Sequence, residues 1–506
     1  MEKPKSEFLS KILKRKNPEE FLQTAKKSNL KKTLGATDLI ILGIGAVVGT
    51  GVFTLSGLAI AGEAAAGPSF IISLIIAAIA CIFSAFCYAE FASLIPVAGS
   101  AYTYTFAVFG QFSAWIMGWV LMLEYAIGNI AVALALSSYW FEFMKGFQGI
   151  LPDIITNKAY WVHHLSIFGY SLEVNILSMI FIAFISFLLY KGMEESKRMA
   201  EIMVIIKVGV ILLFVIAGAF YVKPENWTPF MPSGMSGIFK GAFLIFFAYI
   251  GFDAVSTAAE ETKNPQKNMP IAIIGTLLIC SLIYIAVAAV LTGLFPFSAI
   301  VGNQDFIHAP IAYALNAINQ NFLAMLVSMG AIAGLFSVLL VLQLAATRVL
   351  FAMSRDNLLP KVFSKIHPKF STPYVITIAT GIFTMIGTLV LDLKGSADLC
   401  NIGTFTAFII VSIGVIILRY TNPNAERAFK IPLMPWIPLA GIACCLFIIY
   451  KGIPMDAFIA FAVWIACGVA IYFMYGYKYA NLPEEAPVEV LTDEAQEEAA
   501  LESIAD

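Results

Sequence analysis

Apolar residues along this chain come in long unbroken blocks. They show neither the alternation of a half-buried strand nor the one-sided stripe of a surface helix. A helix needs about 20 apolar residues to cross the hydrocarbon core of a bilayer. By that measure twelve blocks qualify, near residues 36–62, 68–93, 104–136, 173–191, 199–222, 238–260, 270–296, 321–352, 373–391, 401–419, 433–450 and 456–475. The pattern predicts an all-α polytopic membrane protein of twelve transmembrane helices. Its short connectors, such as ETKNPQKNMP and SRDNLLPKVFSKIHPKFSTP, are rich in Pro and basic residues. The longest connection, Ser137 to Glu173, mixes aromatics with Pro152, Asp153 and Asn157, and short interfacial helices are expected there.

Two of the blocks are interrupted. The first carries Gly43, Gly45, Gly49 and Gly51 within nine residues, and the sixth carries Gly251 and Asp253 at its middle. Each glycine weakens a helix by about 1 kcal/mol relative to alanine, so four so close together favour local unwinding. Unwound backbone is tolerated at membrane depth only where it lines a cavity inside the protein. The interrupted blocks open two groups of five, residues 36–222 and 237–419, and two further helices follow at 432–478. Paired broken helices in matching places point to an inverted-repeat carrier with its substrate between them. Glycine also packs membrane helices closely, and Gly45 with Gly49 alone is equally well explained that way.

A third feature weighs toward transport. Lys207 sits inside the apolar run MAEIMVIIKVGVILLFVIAGAFYV. A charge at that depth costs roughly 3 kcal/mol on insertion scales, so it needs a partner and a task.

Composition agrees with the block pattern: 60% of the 506 residues are apolar and 13% are charged, which excludes a water-soluble core. Alternating the loops across the bilayer puts 23 of the 31 basic residues on the side of the N-terminus and 6 on the other, with Lys207 and Arg348 inside spans. Both termini are therefore expected in the cytoplasm, of a bacterial inner membrane if the family resemblance below holds. Residues 1–35 are basic and show no signal-peptide core, and residues 479–506 form an acidic tail expected to be disordered. The seven cysteines lack metal-ligand spacing and read as packing, and the four histidines, His163, His164, His308 and His367, fall in loops. No cofactor, metal or nucleic-acid partner is expected. The absence of HExxH and GxSxG patterns speaks against an embedded hydrolase.

The segments KKTLGATDLIILGIGAVVGTGVF, FASLIPVAGSAYTYTF, GWVLMLEYA, FFAYIGFDAVSTAAEETKNPQKNMP and TRVLFAMSRDNLLPKVF together resemble the amino acid/polyamine/organocation transporter superfamily. More narrowly, they look like its cationic amino acid transporter branch, bacterial members included. The resemblance runs from Lys31 to the twelfth block. It implies the leucine-transporter-type fold of two inverted five-helix repeats plus two helices, working by alternating access. It further implies that Val47, Val48, Gly49, Thr50 and Gly51 receive an amino acid's α-carboxylate. Phe247, Ala248 and Ile250 then match the positions that offer carbonyls to its α-ammonium, with the Phe247 ring as a lid. The amides at a helix N-terminus favour such an anion on physical grounds as well.

Glu124 and Asp253 match acidic positions of this branch. They either draw in a cationic side chain or a proton, or brace the unwound backbone. Leu342 matches a position at the side-chain end of the pocket, and its bulk argues for a limited cavity. Lys207 matches a lysine that stands in for a bound sodium ion in some members, facing the carbonyls of Gly45 and Val48 and the hydroxyl of Ser337. It is then either the proton-coupling group or a constant strut. Glu90, Glu260, Glu261, Arg348 and Arg355 fall near the cytoplasmic ends and are expected to make gate or topology contacts.

The expected function is secondary active import of L-amino acids by proton symport, with no enzymatic activity. The alternatives are an amino acid/polyamine exchanger and a non-transporting amino acid sensor. The expected partners are the amino acid, the proton, the lipid bilayer and, as in some relatives, a small single-span membrane subunit.

Overall fold

The computed structural model describes residues 12–15, 34–95, 100–167, 170–192, 197–370, 372–423 and 427–480. The basic N-terminal segment and the acidic tail fall largely outside the described residues, as do the side chains of Glu260 and Glu261. The chain is a bundle of apolar helices. Helical backbone is what the block pattern demands, because in lipid every peptide group must be paired within its own segment.

The first span is α1, Ala36–Val47, followed after a short break by a π-helical turn Gly51–Leu55 and α2, Ser56–Ala61; the two halves are bent by 44°. Next come α3, Phe70–Leu94, and α4, Ser100–Phe109. Helix α5, Gln111–Met122, then runs through a second π-helical turn, Leu123–Ile127, into α6, Gly128–Lys145. The third block was expected at 104–136, but its first residues belong to α4. Gly110, with φ +92°, separates α4 from α5, and helix continues to Lys145.

The long connection contains the expected short helices, Asp153–Thr156 and Lys158–Tyr160. It also contains an unforeseen antiparallel hairpin, β1 Val162–Ile167 with β2 Tyr170–Asn175. Asn175 closes the hairpin and starts α7, Ile176–Tyr190, accepting the Ser178 amide on its side-chain oxygen at 3.1 Å.

Helix α8, Lys197–Ala219, carries Lys207. The sixth span is α9, Gly234–Ile245, followed by a 3₁₀ turn Phe246–Tyr249, a break, and a 3₁₀ helix Phe252–Glu261. The helices of five or more residues that follow up to Ile471 are α10, Pro265–Leu294; α11, Gln304–His308; α12, Pro310–Ala317; α13, Asn321–Arg355; α14, Tyr374–Val390; α15, Leu393–Thr421; α16, Trp436–Gly452; and α17, Met455–Ile471. Among the described residues, seven helical stretches are long and apolar enough to cross a membrane singly, and α1 with α2 makes an eighth when taken as one bent span. Four shorter apolar helices accompany them: α7, α9 with its 3₁₀ turn, α14 and α16.

Burial ranks these helices. The apolar part of Gln111–Lys145 is 94% buried, which makes it the central post, whereas that of the last stretch, Met455–Tyr479, is 17% buried and peripheral. The peripheral helix is held by indole groups. Trp115 and Trp119 on the post donate to the carbonyls of Gly468 and Trp464, each at 2.8 Å, and the Trp119 and Trp464 rings stack at 4.6 Å. At one end of the bundle Glu90 joins three segments. Its carboxylate takes the Arg419 guanidinium at 2.5 and 3.1 Å, Arg427 at 3.2 Å and the Ile431 amide at 2.8 Å. At the same end the Lys263 amide donates to the Leu34 carbonyl at 2.8 Å, which ties the start of the first span to the end of the sixth.

Candidate functional site

The two broken spans touch at their breaks. In the first, α1 ends at Val47, Val48 is extended (φ −76°, ψ 102°), and helix resumes from Thr50. The first amides of the resumed segment have no acceptor within their own helix. In the sixth, Ile250 is extended and Gly251 is left-handed at φ +104°. Glycine is required at both contacts. A Cβ on Gly51 would lie 2.1 Å from the Cβ of Ala248, and one on Gly251 would lie 3.2 Å from the backbone of Ala46 in a conformation that side chains avoid.

The breaks meet the middle of the central post around a small cavity. Ala46, Val47, Gly49, Thr50 and Gly51 line it from the first span, Glu124 and Gly128 from the third, and Phe247 and Ile250 from the sixth. Val338 and Leu342 of α13 and Cys400 of α15 complete the wall. Its free space of about 10 Å³ takes the centre of about one water-sized sphere. The π-helical turn Leu123–Ile127 sits at this level, as such bulges often do at functional sites. The Cys400 thiol donates to the Glu124 carbonyl at 3.1 Å.

Two buried polar atoms on the wall, Glu124 Oε1 and Thr50 Oγ1, have no hydrogen-bond partner among the described residues. Buried polar groups are nearly always paired in native proteins, so two such atoms on one cavity wall make it a candidate site.

The residues singled out in the sequence therefore separate into four groups. Val47, Gly49, Thr50, Gly51, Glu124, Phe247, Ile250 and Leu342 converge on the cavity. Val48 and Ala248 are buried behind its wall. Asp253 lies off it, with Oδ2 accepting the Tyr125 hydroxyl at 2.7 Å, so it braces the third span against the sixth. Lys207 stands apart and is fully buried. Its ammonium donates to the Gly45 carbonyl, and its stem packs on Gly334 of α13, where an added Cβ would lie 3.0 Å from the Lys207 Cβ. Ser337 follows Gly334 by about one turn of that helix and is buried too.

Sequence reading missed Ala46, Gly128, Val338 and Cys400. Helical spacing contained a signal for two of them, since Gly128 follows Glu124 by four residues and Val338 precedes Leu342 by four. It also missed Tyr284 of α10, whose hydroxyl reaches the carbonyls of Val47 at 3.0 Å and Ala248 at 2.9 Å. No local pattern sets Tyr284 apart from the other aromatics of its span.

A larger cavity of about 740 Å³ lies where α2 stops, among the ends of α6, α14 and α15 and the α11 segment. The Lys394–Glu63 ion pair, 2.6 Å, joins α15 to the end of the first span at its rim. His308 also lines it, and burial together with the Lys158 ammonium pushes that imidazole's pKa down.

A family model described as amino acid permease matches residues 34–477. The chain is 45% identical to the branched-chain amino acid permease of Bacillus subtilis (strain 168), over 91% of this chain and 96% of that one. It is 43% identical to the methylthioribose transporter of the same organism, over 92% and 98%. It is also 35% identical to the chloroplastic cationic amino acid transporter 9 of Arabidopsis thaliana, over 92% and 82%.

Proposed function

The chain belongs to the amino acid permease family, and from that premise we propose that it imports L-amino acids by proton symport, exposing one site alternately to the two sides of a bacterial plasma membrane. It is a membrane transporter, not an enzyme. One observation carries the reading: two broken helices meet at a cavity whose wall presents unpaired polar atoms, Glu124 Oε1 and Thr50 Oγ1, beside the backbone of Gly49 and Gly51.

The arrangement suits a zwitterion. Amides at the start of the resumed first span favour the α-carboxylate, and the carbonyls bared at the sixth-span break favour the α-ammonium. The Phe247 ring and Leu342 face the side chain. On this reading the four shorter apolar helices complete twelve spans, arranged as two inverted groups of five plus two, with both termini in the cytoplasm. Lys207 serves coupling. While charged it holds the Gly45 carbonyl on α1, and loss of its proton frees the first half of the broken span to move. The relatives carry different cargoes, branched-chain amino acids in one and methylthioribose in another, so the cargo is argued from the cavity.

The test is a binding screen by thermal unfolding of the purified full chain against the twenty amino acids, common polyamines and methylthioribose, at two pH values. Stabilisation by one or more α-amino acids is expected. Stabilisation by none of them, or by methylthioribose alone, would remove the amino acid assignment.

A further inference from the structure

The second half of the first span begins as the π-helical turn Gly51–Leu55, and two carbonyls of that turn take hydrogen bonds from side chains. Ser56 Oγ donates to the Val52 carbonyl at 2.8 Å, from within the same segment. Phe53 is served from another span: the Tyr139 hydroxyl, on α6, donates to its carbonyl at 2.6 Å. Tyr139 is fully buried, and its ring meets that of Phe53 edge to face at 5.7 Å. The Ile311 amide, in the first turn of α12, is within hydrogen-bonding reach of the same oxygen. An amide so placed has no acceptor in its own helix, which suits a hydroxyl that accepts on one side and donates on the other.

This half-span is attached differently along its length. At its far end the Ala61 carbonyl accepts the Gly302 amide at 2.9 Å, and Gly57 lies so close to α11 that an added Cβ would stand 2.5 Å from the Phe306 carbonyl oxygen. At its near end Gly49, Thr50 and Gly51 line the small cavity. Between the two, Tyr139 ties it to the central post, the most deeply buried of the long apolar stretches. The register of the turn matters to the near end. A π turn holds one residue more than the α-helix it interrupts, and taking up that residue would rotate Thr50 and Gly51 by about 100° relative to α2. Their amides would then leave the cavity wall.

We propose that Tyr139 is a positioning residue for the substrate carboxylate: by holding the Phe53 carbonyl it keeps the π turn in register and the Gly49–Gly51 backbone turned toward the cavity. Tyr139 is not on the cavity wall and acts through the first span. This rests on the reading that the cavity takes an amino acid.

The experiment is alanine uptake into proteoliposomes, beside thermal unfolding with and without alanine, for the full chain as wild type, Tyr139→Phe and Ser73→Ala. Tyr139→Phe removes the hydroxyl and keeps the ring. Ser73→Ala is the matched control: Ser73 Oγ donates to the Ile238 carbonyl at 2.8 Å, a buried bond of the same kind between α3 and α9, away from the cavity. In Tyr139→Phe the KM for alanine rises about fivefold, the scale of one hydrogen bond, while kcat stays within about twofold. A rise in KM at constant kcat marks lost substrate binding, so the thermal shift given by alanine shrinks in parallel. Ser73→Ala lowers the unfolding temperature and keeps the wild-type KM. An unchanged KM in Tyr139→Phe, a fall in its kcat alone, or an equal rise of KM in Ser73→Ala overturns the positioning role. A wild type that neither takes up nor is stabilised by any amino acid overturns the reading beneath the proposal, and the wild-type measurement alone tells the two failures apart.

Discussion

Tyr284 brings one hydroxyl to two carbonyls that belong to different broken spans, Val47 at 3.0 Å and Ala248 at 2.9 Å. A hydroxyl has a single proton to donate, so the two carbonyls share it, and the breaks are held together by a bond weak enough to exchange. Tyr284→Phe removes that bond and keeps the ring. The expected cost is about 1 kcal/mol of stability, with uptake falling about tenfold because the two breaks lose their common register. Uptake assays beside thermal unfolding check this, and unchanged uptake would count against it. At this scale the sequence was partly legible. A glycine cluster and a carboxylate at membrane depth are visible without coordinates, and Gly49, Thr50, Gly51 and Glu124 do line the cavity. Asp253 looked equivalent to Glu124 and is not. After the left-handed turn at Gly251 the chain winds as a 3₁₀ helix with three residues per turn, and Asp253 there meets the Tyr125 hydroxyl rather than the cavity.

Among the elements, the broken spans were the most legible because glycine content alone weakens a helix. The hairpin Val162–Asn175 and the division at Gly110 were not legible, since both depend on turn geometry rather than on apolar periodicity. The contact between the breaks makes a sharp prediction. Gly51→Ala puts a Cβ 2.1 Å from that of Ala248, and Gly251→Ala keeps a side chain at φ +104°. Overlap in the first case forces the half-helices apart, and in the second the backbone conformation alone costs about 1–2 kcal/mol. Both variants should lose substrate-dependent stabilisation and uptake. Gly209→Ala, on the same helix as Lys207 with nothing within 4 Å of the added Cβ, should retain both. Equal behaviour of Gly51→Ala and Gly209→Ala in uptake would contradict the account of the breaks.

For the whole molecule, block length was enough to recognise a multi-spanning membrane protein, and motif order was enough to recognise the family. The assembly of the cavity from five distant stretches was beyond the sequence, because Cys400 and Val338 look like ordinary core residues until the helices are packed. Energy coupling is likewise a property of the whole. Lys207 lies outside the cavity wall yet holds the first half of a broken span through the Gly45 carbonyl, so the coupling proposed for it would act through movement of that half. The direct measurement is uptake of alanine into proteoliposomes driven by an inside-alkaline pH gradient, comparing the wild type with Lys207→Ala. The account predicts gradient-driven accumulation by the wild type and its loss in Lys207→Ala, with alanine binding still detectable by thermal shift in the variant. Full gradient-driven accumulation by Lys207→Ala would contradict it.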